Sequence, residues 1–280
     1  MMKKIAILLT VHNRKDKTLQ CLLNISEQKY DKSKYHIDIF LTDDGCTDGT
    51  ADAVQQKFPY VHIIKGNGSL FWNRGMVIAW NEAAKNNYDY YLWLNDDTYI
   101  YEKTLYELLE CSSKHNNKSI IVGVTSAIGK QDSITYGGWS KGNVISDITR
   151  EHRCETFNGN IVLIPCAVYD ILGTNDPYYR HGLGDIDYGL RANKNGIEIW
   201  QSEGIKGECN RHEHPVIWMD PSKPFIKRRK NFYSPLGNNP FEFFHFRRKH
   251  YGLVAACLTF VSNYLHFLFP RMWKRLFQKI

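Results

Sequence analysis

The sequence contains no closely paired cysteines of the CxxC kind. Its seven cysteines (21, 46, 111, 154, 166, 209 and 257) are odd in number and scattered. That argues against a disulfide framework and a structural zinc site, and fits a reduced, cytoplasmic setting. The first apolar run is followed by "TVHNRKD", without the G-x-G-x-x-G of a dinucleotide site, and there is no Walker loop. Phosphates on a ligand must then be held by side chains and a metal, not by a glycine cradle. No internal repeat or low-complexity linker is present, and no nucleic-acid-binding motif accompanies the basic and aromatic residues. The opening "MMKKIAILLTVHNRKDK" has too short an apolar run and no small-residue cleavage site, so it reads as a first core strand rather than a signal peptide.

What is present supports a substantial core. The chain has 280 residues, 43% of them hydrophobic, with 17 Tyr, 14 Phe and 7 Trp, so some aromatics should line grooves. The net charge of +7 is concentrated late, in "KRRK" (227–230), "RRKH" (247–250) and "RMWKRLFQK" (271–279). Such a tail suits an anionic partner: nucleic acid, phospholipid or a phosphorylated substrate.

From residue 3 to about 126 apolar strands alternate with helical patterns. Strands are predicted at 4–11, 35–42, 61–65, 88–94 and 119–126. Helices are predicted after Asn13, with Leu19, Leu22, Leu23 and Ile25 as the apolar stripe, and at 49–58, 76–86 and 102–114. Asn13 and Asp48 are candidate helix caps. The alternation predicts an α/β fold with a mostly parallel sheet, whose ligands bind at the carboxyl ends of the strands. Four such ends carry polar clusters: Thr10–Arg14, Asp43–Asp44, Gly66–Arg74 and Asn95–Asp97. Later come a hairpin or loop excursion (133–146), a strand (158–165), short helices at 166–173 and from about 185 to Gly196, and a strand at 197–200.

"LWLNDDTYIY" (92–101) drives a buried-looking strand straight into two adjacent carboxylates, so a cation is expected beside them. A solvated strand end is the bland alternative. The second acidic strand end, Asp43-Asp44, favours a divalent ion with oxygen ligands, Mg²⁺ or Mn²⁺, suited to neutralising a diphosphate.

Together and in order, "ILLTVHNR", "LTDDGCTDGT", "LWLNDDT" and "HGLGDIDYGLR" resemble the inverting family 2 glycosyltransferases of the GT-A fold, over roughly residues 3–215. The resemblance, closest to polysaccharide-type and rhamnosyltransferase-like members, implies roles. Thr10 would contact the nucleoside, with Asn13 and Arg14 beside it in the donor site. Asp44 would hydrogen-bond the base, and a carboxylate suits the imide of uracil or thymine. Asp96 would lie near the ribose or sugar, and Asp97 would bind the metal. Asp185 would be the catalytic base, although Gly184 replaces the Glu common in the family. A helix cap is the structural alternative for Asp185. Trp72 would shape the sugar pocket and Arg74 pair with a phosphate; burial of Phe71 and Trp72 in the core is the alternative. His212 or His214, with His212 preferred, would complete the metal site, or neither would.

"YGLVAACLTFVSNYLHFLFP" (251–270) is marginal as a membrane span. With its basic, Trp- and Tyr-bearing flanks it reads as a helix lying on an anionic bilayer, or else as a packed terminal helix or oligomer contact. The expected organisation is a GT-A catalytic domain over 1–220, split into a nucleotide-binding half (1–126) and a catalytic-base half (127–220), then a helical extension (221–280) that contacts membrane. The expected activity is inverting, metal-assisted transfer of a hexose or deoxyhexose from a UDP- or dTDP-sugar. The acceptor would be a glycan or lipid-linked glycan in surface polysaccharide assembly, at the inner face of the cell membrane. The rival readings are a sugar nucleotidyltransferase and a non-catalytic nucleotide-sugar-binding protein.

Overall fold

A computed structural model of the chain describes residues 2–211 and 216–271. It forms two compact units, residues 1–180 with 184–211, and residues 181–183 with those from 212 onward.

The first unit opens with β1 (Lys3–Val11), α1 (Lys15–Ser26), β2 (Tyr35–Asp43), α2 (Thr50–Lys57), β3 (His62–Lys65), α3 (Phe71–Ala83) and β4 (Tyr90–Leu94). β1 pairs in parallel with β2 and β4, and β2 with β3. Val11 is level with Asp43, and Asp43 with Lys65, so the chain leaves these strands at one edge of the sheet. The alternation of β1 explains its nearly complete burial. Ile5, Ile7 and Leu9 share one core with Leu22 and Ile25 of α1 and Val54 of α2. Ala6 and Leu8 share the other with Met76, Ala79 and Trp80 of α3.

The unit continues through β5 (Tyr99–Ile100), α4 (Thr104–Lys114), β6 (Ile120–Ala127), β7 (Lys130–Tyr136), β8 (Gly138–Ser140), β9 (Asn143–Val144), β10 (His152–Arg153), β11 (Thr156–Phe157) and β12 (Ile161–Pro165). It ends with α5 (Cys166–Leu172), α6 (Gly184–Lys194) and β13 (Ile199–Glu208). β12 inserts antiparallel between β4 and β6, giving the order β10-β13-β6-β12-β4-β1-β2-β3. The result is a mixed α/β sheet, mostly parallel at its centre.

Three local expectations need correction. Leu23 of the predicted stripe is 40% exposed; Thr18 and Cys21 take the inward positions beside Leu22 and Ile25. β13 runs eight residues past the predicted 197–200. Its polar stretch has Gly204 at φ 73° and shifts of register, and its buried Lys206 pairs with Glu107 at 2.5 Å. Asn13 does not cap α1. It lies in the left-handed region at φ 50°, and its Oδ1 accepts the Thr47 amide at 2.7 Å. Asp48 serves both helices instead: Oδ2 accepts the Lys15 amide at 2.9 Å and Oδ1 the Thr50 amide at 3.1 Å.

The second unit holds a 3₁₀ turn (Ile217–Met219), α7 (Phe225–Phe232), α8 (Pro240–Tyr251) and α9 (Leu253–Leu268). Its core is Trp218, Phe232 and Phe267, with Phe232 stacked on Phe267 at 4.6 Å. Asn239 caps α8 by accepting the amides of Phe241 and Glu242, and Pro240 occupies the first turn. Gly252, at φ 88°, divides the predicted apolar run between α8 and α9. Among the described residues no helix is long and apolar enough to cross a membrane.

Because one carboxylate caps two helices, Asp48→Ala should cost about 1–2 kcal/mol and lower the melting temperature by several degrees. Asp48→Asn, which keeps one acceptor oxygen, should recover part of it. The bond to Thr50 chiefly holds the Asp48 carboxyl below its ordinary value, against burial. Its contribution is therefore full above the unfolded-state value of about 3.9 and is lost as pH falls through the lower folded one. Melting curves of wild type and Asp48→Ala should converge at strongly acidic pH; a constant gap would contradict the assignment.

Candidate active site

The carboxylates after β4 lie almost out of solvent, Asp96 4% and Asp97 5% exposed. The cation beside them is the guanidinium of Arg14, at the start of α1. Its Nη1 lies 2.7 Å from Asp97 Oδ2 and 3.2 Å from Asp96 Oδ1. Burial pushes Asp96 up to about 6; Arg14 opposes the shift and the charge of Asp97 adds to it. Thr18 donates to Asp96 Oδ2 at 3.3 Å, and the Cys209 thiol lies 3.8 Å from Asp97 Oδ1.

The residues fit a divalent cation. Two hard oxygen donors converge in a nearly dry position, and Arg14, whose side chain is 41% exposed, can swing away. Asp97 and Asp96 are the groups that could hold such an ion. His212 and His214 lie outside the described residues. A separate Cys111–His115–Glu151 group could also hold a metal, but Glu151 already pairs there with Lys114 and His115.

Asp44, 3% exposed, organises the loop ahead of α3. Its Oδ1 accepts the Gly68 amide at 2.8 Å, and its Oδ2 accepts those of Leu70 and Phe71 at 3.0 and 2.9 Å. An anion at these amides starts the helix at Phe71, five residues before the predicted 76, and holds Phe71 at the costly φ of 58°. Gly45 lies against this loop: a Cβ there would come within 2.8 Å of Gly68 Cα.

Starting α3 early carries Trp72 to the end of β4, where its Nε1 donates to Asn95 Oδ1 at 2.8 Å. Its ring edge fills the space beside Gly159, where a Cβ would meet it at 2.6 Å. The Gly159 amide donates to Asp185 Oδ2 at 3.1 Å, and the next residue, Asn160, accepts the Asn95 amide at 3.1 Å. Adjacent residues thus join Asp185 to the strand end that bears Asp96 and Asp97. Asp185 Oδ1 accepts the Ile186 amide at 2.8 Å from within the first turn of α6, which begins at Gly184 rather than at the expected 185. Burial raises the Asp185 pKa, while the amides of Ile186 and Gly159 work the other way.

Other candidates sit differently. Arg74 donates to the carbonyls of Pro177 (2.9 Å) and Tyr178 (3.3 Å), so its side chain ties the 176–180 segment rather than standing ready for a phosphate. Thr10 turns its hydroxyl into a buried position without a hydrogen-bond partner, against Gly75. Asn13 tethers Thr47. Asp187 holds Arg191 at 2.9 Å, and Arg191 in turn donates to the carbonyls of Leu172 and Thr174.

Sequence reasoning missed Asn73, Gly159 and Asn160. Asn73, fully buried, donates to the carbonyls of Asp176 (2.9 Å) and Tyr179 (2.8 Å). Its Oδ1 lies 1.9 Å from where a Cβ on Gly184 would stand. The one legible signal was "NGN" (158–160), a glycine between two amides at a strand start, which marks close approach.

The family described as "Glycosyl transferase family 2" matches residues 6–170. Comparison with curated proteins gives no match. Among solved structures, the chain resembles TarS of S. aureus (TM-score 0.53, 13% identity), covering 89% of this chain and 44% of that one. It also resembles the mannosyltransferase PcManGT from Pyrobaculum calidifontis, solved with GDP-Man and Mn²⁺ (TM-score 0.55, 14% identity), covering 97% and 74%. This chain thus spans less than half the length of TarS.

Gly184→Ala should overpack the site by about 1–3 kcal/mol, because Asn73 is held by two carbonyls and cannot step aside. Asn73→Ala should cost about 1–3 kcal/mol by removing its buried bonds to those carbonyls. The double variant should lose clearly less than the sum of the two. Strict additivity in denaturant melts would show that the two positions do not touch.

Proposed function

The chain belongs to glycosyl transferase family 2, and we propose that it moves a hexosyl or deoxyhexosyl group, with inversion, from a UDP- or dTDP-sugar to a glycan acceptor. A lipid-linked acceptor in bacterial surface polysaccharide assembly fits best with the basic C-terminal unit. One observation carries the reading. The strand end that bears Asp96 and Asp97 is tied through the Asn95 amide to Asn160, and the carboxylate of Asp185 in α6 to the adjacent Gly159, so a leaving group and an attacking group can be served at one sheet edge.

Inversion is a single in-line displacement. The acceptor hydroxyl attacks the anomeric carbon while Asp185 takes its proton, on Oδ2, the oxygen with the longer amide bond. The raised pKa makes Asp185 a stronger base than an exposed aspartate. A divalent cation, Mn²⁺ or Mg²⁺, held by Asp97 with Asp96 would neutralise the charge of the diphosphate. Arg14, displaced from the pair, would offer its positive charge to the same phosphates. Asp44 acts on the nucleoside by fixing the Gly66–Leu70 loop. Its Oδ1, bonded to one amide, has a second lone pair for a base imide. Trp72, anchored to Asn95, forms the wall of the sugar pocket. That PcManGT was solved with GDP-Man and Mn²⁺ supports a nucleotide-sugar donor and a divalent metal.

Thermal-shift measurements across nucleotides and nucleotide sugars should show stabilisation by uridine or thymidine diphosphates that depends on Mn²⁺ or Mg²⁺. Asp185→Asn should keep that shift and lose transfer by about 10²–10⁴-fold. Normal turnover in this variant would point to a different base, and no response to any nucleotide would point to a non-catalytic protein. Asp185 must be ionised to act, so kcat/KM should fall with decreasing pH at a midpoint above the ordinary aspartate value of about 3.9.

A further inference from the structure

We propose that the second unit docks on an anionic lipid bilayer through the outward face of α9 and the basic side chains of α7. α9 has two apolar faces and covers only one. Ala256 and Phe267 turn inward, but Val254 (75% exposed), Leu258 (68%), Val261 (56%), Leu265 and Leu268 recur at helical spacing on the opposite face. A helix at a water-facing surface carries polar residues there. At the start of α7, Ile226 is 82% exposed as well. Of twenty exposed large apolar side chains among the described residues, thirteen lie between Val216 and Phe269. Exposed apolar side chains gathered in one unit mark a contact surface.

Charge selects the occupant. Residues 221–271 carry nine Lys and Arg and one acid, Glu242, which is buried; residues 1–220 carry 24 Lys and Arg against 28 Asp and Glu. The positive excess of the chain therefore resides in the unit that exposes the apolar stripe. Basic groups stand beside apolar ones at both ends of the surface. Arg229 and Lys230 share a groove with Ile226, and Arg271 shares another with Leu268 and Phe269, while Arg228 is buried and spent on the carbonyls of Trp218 and Phe267. A second copy of the chain would bring the same positive charge to the contact, whereas anionic headgroups complement it. α9, at sixteen residues, is too short to span and suited to lie in the interfacial plane.

The test is flotation of the full chain with vesicles of phosphatidylcholine alone or mixed with phosphatidylglycerol. Wild type should float with the anionic vesicles, at least about tenfold more tightly than with the neutral ones, and lose that advantage in high salt. Leu258→Glu/Val261→Glu/Leu265→Glu, all surface changes, should remove flotation. Arg229→Glu/Lys230→Glu should weaken it about tenfold or more and serves if the triple variant misfolds. Undiminished binding by either variant, or equal binding to neutral vesicles, overturns the proposal. So does a wild-type dimer in sedimentation that the triple variant converts to monomer. The metal-dependent nucleotide shift is read on the same samples: its absence with flotation intact counts against the transferase reading alone, and the reverse against the membrane alone.

Discussion

The architecture of the site depends on two carboxylates being held where water cannot screen them. Two unit charges about 4 Å apart interact by about 4 kcal/mol at the effective dielectric of a protein surface, and more where it is drier. With both Asp96 and Asp97 nearly buried at the end of β4, folding needs a counter-cation there. Arg14 supplies it from the first turn after β1, the strand beside β4 in the sheet. The same bridge makes the position able to change cations. The guanidinium enters from solvent through one nitrogen, and a small divalent ion with better-matched oxygen coordination can take its place. The repulsion that makes the pair awkward as structure is what makes it useful as a ligand set.

A second carboxylate does by geometry what the first pair does by charge. Asp44 starts α3 from a different strand, by accepting amides of the loop before it. That choice of starting point swings Trp72 onto Asn95 and Gly159. β2, α3, β4, the start of β12 and α6 are thereby coupled through single hydrogen bonds at one sheet edge. Displacing the loop would move Trp72 and the support of Asp185 together.

The alternation of β1 through β4, and the convergence of their carboxyl ends, was legible because it rests on local periodicity and short crossovers. The acids at 44, 96 and 97 stood out because charge after an apolar run is rare, and Asp185 stood out only through the family resemblance of "HGLGDIDYGLR". Their partners did not stand out. Arg14 is legible as a donor-site residue, but its pairing with Asp96 and Asp97 shows only when β1 and β4 are seen side by side. The start of α3 was hidden because its cap comes from Asp44, 26 residues upstream. Asp48 keeps its expected helix start and takes that of Asn13 as well, because a cap can be supplied across space and Asp48 faces two helix starts. Arg74 was assigned to a phosphate from its place in a loop; once the loop became helix, its side chain met the Pro177 and Tyr178 carbonyls. The continuation of β13 past residue 200 escaped because bulges and a buried ion pair erase the alternation that marks a strand.

The departure at residue 184 follows from the same packing. An acidic side chain before Asp185 would need the space that the Asn73 amide fills, and Asn73 is needed there to close the 176–180 segment onto α3. Glycine at 184 is thus the counterpart of asparagine at 73, and the site does without a second acid beside its base. What keeps Asp185 oriented is backbone: the amides of Gly159 and Ile186 take one oxygen each. Amides carry no proton that titrates in this range, and burial is the first cause of the raised pKa of Asp185. In the proposed role as base, an acceptor that expels water from around Asp185 would raise the proton affinity of the group that must receive its proton.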